Sequence, residues 1–437
     1  MKRFSMKQLI LLLTVTLMGV IWSVIFHKPL VIGFLPGFLI LVYLSMQNKQ
    51  GVIQILQISI RGVYKTRIVI LILFQVSFLL PSWYLLGTIE QMVKIALYFI
   101  NPHYFYVLTF VAALVFSMLL GTTVGTLSAI GIPILGTAVV LNLQPEIVAG
   151  ALVSGAFVGD RTSPFSSAHQ LLAHTIELPV KKQWNAMLFT TFIAVGMSIL
   201  FYGSFDIFSE VNVHHLEPLR WSELSMIKFI PPIILLLLVL FRVSIINAFL
   251  SSIISAGILS LIEGVPLVEI ALAFWNGIKG LGGGFLHMYE LLLFLALAGA
   301  YNGLLEELNV IQPYLDKWLQ NSTSLAGDTF KTLLATLLIS FIAANQTLPI
   351  ILTGRSFLPH WSSKYGKAEL ARVMGDTTMI FPGMVPWSVL AIMCSTIVGI
   401  PILEYLPYAL FLWLLPFLTL MVSLFKHFQK SKGIATA

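Results

Sequence analysis

The sequence predicts an all-α polytopic membrane protein, with about 10–12 transmembrane helices arranged as two inverted repeats that contain broken or re-entrant segments. Three observations carry that reading. Hydrophobic residues make up 58% of the 437 and charged residues 10%, far outside the range of a soluble globular chain. Apolar runs of about 20 residues recur along the whole length, each long enough to cross a bilayer. Between them lie apolar stretches whose glycines and prolines weaken a continuous helix. Such backbone is tolerated at membrane depth only when buried in protein or lining a wet cavity.

Residues 8–26 follow the basic start KRFSMK. Their apolar core is long, no small-residue cleavage site follows and another apolar run begins at once, so a retained first helix is expected. Further helices are expected near 30–46, 68–88, 104–120, 184–203, 228–241, 243–262, 286–302, 329–344 and 406–425. Four other segments form a candidate transport core: GTTVGTLSAIGIPILG at 121–136, expected to be re-entrant; the motif at 155–170; GIKGLGGG at 277–284; and GDTTMIFPGMVPWS at 375–388. The chain then divides into a first transmembrane half, 1–204, a linker at 205–223 and a second half, 224–437.

The net charge of +7 does not indicate nucleic acid, because the basic residues flank apolar spans, where the positive-inside rule accounts for them. Lys49, Arg61, Lys65 and Arg67 lie in 47–67, Arg355, Lys364, Lys367 and Arg372 in 355–372, and Lys426, Lys430 and Lys432 in the tail. These segments are expected to face the cytoplasm, with both termini there, in a plasma membrane. Residues 205–223 set Asp206, Glu210, Glu217 and Glu223 against Arg220 alone and are expected outside; His214 and His215 read as part of that solvated loop. A lone cysteine, Cys394, excludes an intrachain disulfide and a cysteine-based zinc cluster. GLGGG lacks the lysine and hydroxyl of a P-loop. There is no G-x-S-x-G and no defensible Ser/His/Asp set, so neither an enzyme nor a cofactor is expected.

A charged residue at the centre of a membrane helix costs about 2.5–3.5 kcal/mol on insertion scales, so Asp160 is a functional candidate. Gly155, Gly159 and Pro164 argue for irregular backbone around it. Because neighbours do not share a helix face, Arg161 is expected to point elsewhere; the competing reading is a structural Asp160–Arg161 contact. A carboxylate in a low-dielectric cavity can hold either a proton or a small cation, and Thr162, Ser163, Ser166, Ser167 and free carbonyls supply the oxygens a hard cation prefers. Asp376, beside Thr377 and Thr378, repeats the pattern: GDRTSP at 159–164 echoes GDTTMIFP at 375–382. GIPIL also occurs twice, at 131–135 and 399–403, but before one aspartate and after the other, which points to chance.

In order along the chain, GTTVGTLSAIGIPILG, SGAFVGDRTSPFSSAHQLLA, GGGFLHM, NQTLPIILTGRSF and GDTTMIFPGMVPWSVLAIMCSTIVGIPILEYLPYAL resemble the blocks of the NhaC sodium/proton antiporter family. The most specific piece is G-x-x-x-G-D-x-x-S-P-x-S, met by Gly155 through Ser166. The resemblance spans about 70 to 425. It implies cation/proton exchange through inverted repeats with re-entrant hairpins, and carries roles to Asp160, Ser163, Pro164 and Ser166, and to Gln346, Gly354, Arg355, Asp376, Pro382, Pro386 and Trp387. The chain also departs from the family. Ser167, Ala168, His169 and Gln170 stand where the family usually reads D-T-T-N, and Gly375 replaces an acid. His169 is a candidate to stand in for the lost titratable group.

The expected function is therefore a sodium/proton antiporter that exchanges cytoplasmic sodium for external protons. The ion- and proton-binding candidates are Asp160, Ser163, Ser166, Ser167, His169, Gln170, Gln346, Asp376, Thr377 and Thr378, with sodium near Asp160. Gly121, Thr122, Thr123, Gly125, Gly159, Pro164, Gly283, Pro382 and Pro386 supply the backbone of the path. The alternative is an organic-anion exchanger of the malate/lactate type, its substrate carboxylate held by helix N-termini near Gly121–Thr126 and Gly282–Gly284 together with Arg161. The expected partners are sodium ions, protons and the lipid bilayer, with no nucleic acid and room for a homodimer.

Overall fold

The computed structural model describes residues 4–26, 28–99, 102–208, 224–278, 283–319 and 324–431. The first half contains α1 (Met6–Ile25), α2 (Leu30–Gln47), α3 (Val52–Leu85), α4 (Thr88–Phe99), α5 (Phe105–Leu120), α6 (Thr123–Val140), α7 (Pro145–Thr162), α8 (Ser167–Thr175) and α9 (Val180–Phe208). The second contains α10 (Ile230–Leu240), α11 (Ile245–Ile262), α12 (Leu267–Asn276), α13 (Phe285–Glu307), α14 (Gln312–Trp318), α15 (Leu325–Ala343), α16 (Thr347–Lys364), α17 (Lys367–Gly375), α18 (Phe381–Met384), α19 (Val389–Val398), α20 (Ile402–Tyr405) and α21 (Leu410–Ser431). No strand occurs among the described residues. A chain in lipid has no water to satisfy its peptide groups, and helices satisfy them internally.

Nine helices among the described residues are long and apolar enough to span a bilayer, or up to ten when the pair Val389–Val398 and Ile402–Tyr408, bent by 86° as in a broken span or a re-entrant loop, is counted as one. This chain is therefore a multi-pass membrane protein. The total stands at the lower edge of the 10–12 expected at about 20 residues per crossing, because α5 and α10 are too short for a full crossing.

Helix packing repeats between the halves. α1 packs on α2 as α10 packs on α11, and α2 lies against α13 as α11 lies against α3. α4 covers α6 as α14 covers α16. α6 meets α19 as α16 meets α8, and α9 lies on α17 as α21 lies on α7. The equivalent helices α3 and α13 also pack on each other, and they run antiparallel: Gly62 near the start of α3 faces Gly299 and Gly303 late in α13, while Gly284 at the start of α13 donates to the Ser77 carbonyl late in α3, at 2.6 Å. Two equivalent helices that run in opposite directions make the repeats inverted.

Several expectations are corrected. The segment 121–136 is not broken along its length: the interruption is confined to Gly121 and Thr122, and α6 is helical from Thr123 through Gly125 and Pro133. Three of its hydroxyls bond to carbonyls one turn back, Thr126 to Thr122, Ser128 to Val124 and Thr137 to Pro133, at 2.7–2.8 Å, whereas the buried Thr123 hydroxyl at the helix start has no hydrogen-bond partner. Gly155 and Gly159 likewise sit inside α7, with the break following at Ser163–Ser166. Their role is close packing. Ser117 of α5 donates to the Gly155 carbonyl at 2.8 Å and accepts from the Gly159 N–H at 3.0 Å. The helix expected near 68–88 starts much earlier, at Val52. Of the second GIPIL, residues 399–403 follow α19, whereas 131–135 lie in α6, so the two are not equivalent in the repeat. Residues 209–223, with His214 and His215, and 279–282 lie outside the described residues.

Candidate functional site

Two helix breaks meet at the centre of the repeats. α5 ends at Gly121, whose φ of 68° is left-handed, and α15 ends at Ala344, with φ of 50°. Glycine takes that conformation freely, whereas alanine holds it at a cost of about 1–2 kcal/mol. Gly121 is needed for space too: a Cβ there would lie 2.6 Å from the backbone carbon of Phe165, against the break between α7 and α8. The Ala344 carbonyl is tied by the Val389 N–H at 2.8 Å. Immediately past each break a new helix starts, α6 after Thr122 and α16 after Gln346.

Both helix starts reach Asp160, which is 7% exposed near the end of α7. Gln346 donates from Nε2 to Asp160 Oδ2 at 3.1 Å and to the Met379 carbonyl at 2.9 Å, and the Thr123 backbone at the start of α6 lies close enough to favour the charged carboxylate. The positive end of a helix dipole favours an anion at such a place. Among the described residues, Asp160 has no ion pair.

Arg161 turns the opposite way. It is fully buried and pairs with Asp376, the C-cap of α17, itself fully buried. Three further donors are occupied: Nε to the Gly375 carbonyl at 3.1 Å, one terminal nitrogen to Thr191 at 2.5 Å and the other to Thr190 at 3.0 Å. Thr190 in turn donates to Asp376 at 3.2 Å. The expected echo of the two aspartates thus holds two different environments, one carboxylate paired and one not. The Asp160–Arg161 contact is not formed.

The other sequence candidates are scattered over several environments. Ser163 and Ser166 are buried beside Asp160, Ser163 donating to the Met118 carbonyl at 2.8 Å and Ser166 to the Asp160 carbonyl at 2.5 Å. Ser166 also caps α8, accepting from the His169 N–H at 3.2 Å. Thr377, Thr378 and Pro382 are buried in the turn after Asp376, the two hydroxyls bonded to carbonyls one turn back. His169 is buried, its Nδ1 2.9 Å from Gln183 Nε2 and its own Nε2 without a hydrogen bond. Ser167, Gln170 and Pro164 are instead exposed, Gln170 donating to the Pro164 carbonyl at 2.8 Å. Pro386, half-buried, lies in the non-helical link before α19. Gly283, with φ of 73°, belongs to the α3–α13 contact against Pro81. Sequence reasoning missed Thr190 and Thr191; the signal was a pair of hydroxyls inside the apolar run of α9. Among the described residues no three His, Cys, Asp or Glu side chains cluster.

Helix breaks from inverted repeats meeting at a buried carboxylate define the class of protein as a secondary transporter. The chain belongs to the Na+/H+ antiporter family, whose model matches residues 171–426. It is 26% identical to the Na(+)/H(+) antiporter NhaC of Bacillus subtilis, over 82% of this chain and 84% of that one. It is 23% identical to the NhaC of Alkalihalophilus pseudofirmus, over 93% and 94%. A Malate-2H(+)/Na(+)-lactate antiporter of Bacillus subtilis is 26% identical over 79% of this chain and 78% of that one.

Proposed function

We propose that this antiporter exchanges cytoplasmic sodium for external protons, with Asp160 as the carboxylate that carries either ion. The observation that supports this reading is a buried Asp160 without a basic partner, at the meeting point of the α6 and α16 starts. A bare carboxylate at that depth is costly, so it is held neutral by a proton or by a cation. Ser163, Ser166 and the carbonyls freed at the breaks supply oxygens for the cation shell, and Gln346 joins both repeats at the site. Exchange follows because the two ions cannot occupy one carboxylate together.

The same geometry disfavours organic-anion exchange at this site. The guanidinium that would clamp a substrate carboxylate is committed to Asp376, Thr190, Thr191 and Gly375. In the proposed topology both termini are cytoplasmic and residues 205–223, joining the halves 1–204 and 224–437, are external. Ion pairs of Lys426 with Glu369 and of Lys367 with Glu177 gather the basic ends of α17 and α21 at one face, as the positive-inside rule requires of a cytoplasmic face. Proton flux recorded in inside-out vesicles as sodium, lithium, potassium or malate is added in turn tests the reading. Sodium-driven flux with no response to malate is expected, and a response to malate alone would refute it.

A further inference from the structure

Two cavities flank the α3–α13 pair at opposite ends. The first, about 180 Å³, lies where the early part of α3 and the late part of α13 meet the start of α16. Thr66, Asn302, Asn345 and Thr347 line it, and the Lys65–Glu306 ion pair, 3.0 Å, stands at its rim. The second, about 30 Å³, lies where the late part of α3 and the early part of α13 meet α6, the repeat equivalent of α16, with Ser128, Gly283 and Thr396 in its wall. The second has room for about one water molecule, the first for several.

The wall of the larger cavity includes both sequence neighbours of Gln346. Asn345 and Thr347 bracket Gln346, whose amide reaches Asp160 Oδ2 at 3.1 Å. Asn302 lines the cavity as well; its Nδ2 donates to the Ala343 carbonyl at 2.6 Å, tying α13 to the end of α15, while its buried Oδ1 has no hydrogen-bond partner. A buried acceptor without a partner calls for a donor or a hydrated cation. Lys65 lies in the basic segment that is read as cytoplasmic.

We infer that the α3–α13–α16 cavity is the cytoplasmic vestibule through which a hydrated monovalent cation reaches Asp160, and that the α6-side cavity is its closed external counterpart. This rests on Asp160 as the ion-carrying group. Inverted repeats that are equivalent in sequence order but unequal in cavity volume then describe an inward-facing arrangement, and exchanging the two volumes gives the outward one.

Single cysteines placed on the cavity wall at Val69 or Ile351, in a Cys394→Ala chain shown to exchange before labelling, test the inference. A membrane-impermeant thiol reagent is expected to modify both from the cytoplasmic face of inside-out vesicles, to spare both in right-side-out vesicles, and to block sodium-driven proton flux once bound. Modification only from the external face, or full modification with flux unchanged, would overturn the vestibule. Asp160→Asn, assayed in parallel, separates the two levels: an inactive Asp160→Asn beside a freely transporting labelled Val69→Cys removes the vestibule alone, whereas an active Asp160→Asn removes the carrier reading and the vestibule with it.

Discussion

Arg161 turns its back on its neighbour Asp160 and closes an ion pair with Asp376, 215 positions further along the chain and in the other repeat. One pair of adjacent charges is thereby split into a locked structural link and a free carboxylate. The link joins α7, α9 and α17, and Asp160 is left to the helix starts of α6 and α16.

Asp160→Asn keeps the size and hydrogen-bonding capacity of the side chain but cannot take up and release the proton that the proposed carrier role requires. Sodium-driven proton flux should be abolished while the protein inserts and purifies normally. In the native protein, raising the external proton concentration should raise the apparent sodium constant if, as proposed, both ions bind one carboxylate. A well-folded Asp160→Asn that exchanged at the native rate would end the proposal.

The Arg161–Asp376 pair should behave as a structural unit. Breaking a buried pair by removing one partner typically costs about 3–5 kcal/mol, because the other charge is left uncompensated. Arg161→Met and Asp376→Leu alone should each lower the thermal unfolding midpoint in detergent sharply, and the double variant should recover much of the loss. Additive losses would show that the pair does not couple the repeats.

Gly159 in α7 and Gly196 in α9 offer a matched comparison within two helices. A Cβ at Gly159 would lie 2.1 Å from the backbone of Ser117, which cannot swing aside, whereas a Cβ at Gly196 meets nothing within 4 Å. Gly159→Ala should push α5 from α7 and cost both folded yield and transport. Gly196→Ala should be neutral or gain up to about 1 kcal/mol of helix stability. Equal behaviour of the two in a yield and unfolding assay would contradict the packing described.

Topology is open to direct labelling. With Cys394→Ala as background, a cysteine at Ser209 should react with an impermeant reagent on intact cells and one at Ser431 only after the cytoplasmic face is exposed. The reverse pattern would invert the proposed orientation and exchange the vestibule faces.

The sequence by itself determined the membrane-spanning class, most of the long helices and the two aspartates. Each depends on information that is local: about 20 apolar residues suffice to cross a bilayer, and one acid within such a run stands out by its cost. The breaks were half legible. Glycine and hydroxyl content marked 121–136 but could not reveal that Thr126, Ser128 and Thr137 would bond their own helix and leave only Gly121 and Thr122 irregular. At Gly155 and Gly159 the same residue type served close packing, because the partner Ser117 lies 38 and 42 positions away. Only the tertiary structure decided which aspartate is free. Asp160 and Asp376 look alike in sequence, each directly after a glycine and upstream of hydroxyls and a proline. Their fates differ because a guanidinium reaches one carboxylate and not the other, and the direction in which Arg161 leaves α7 follows from how the helices pack, which no run of neighbouring residues encodes.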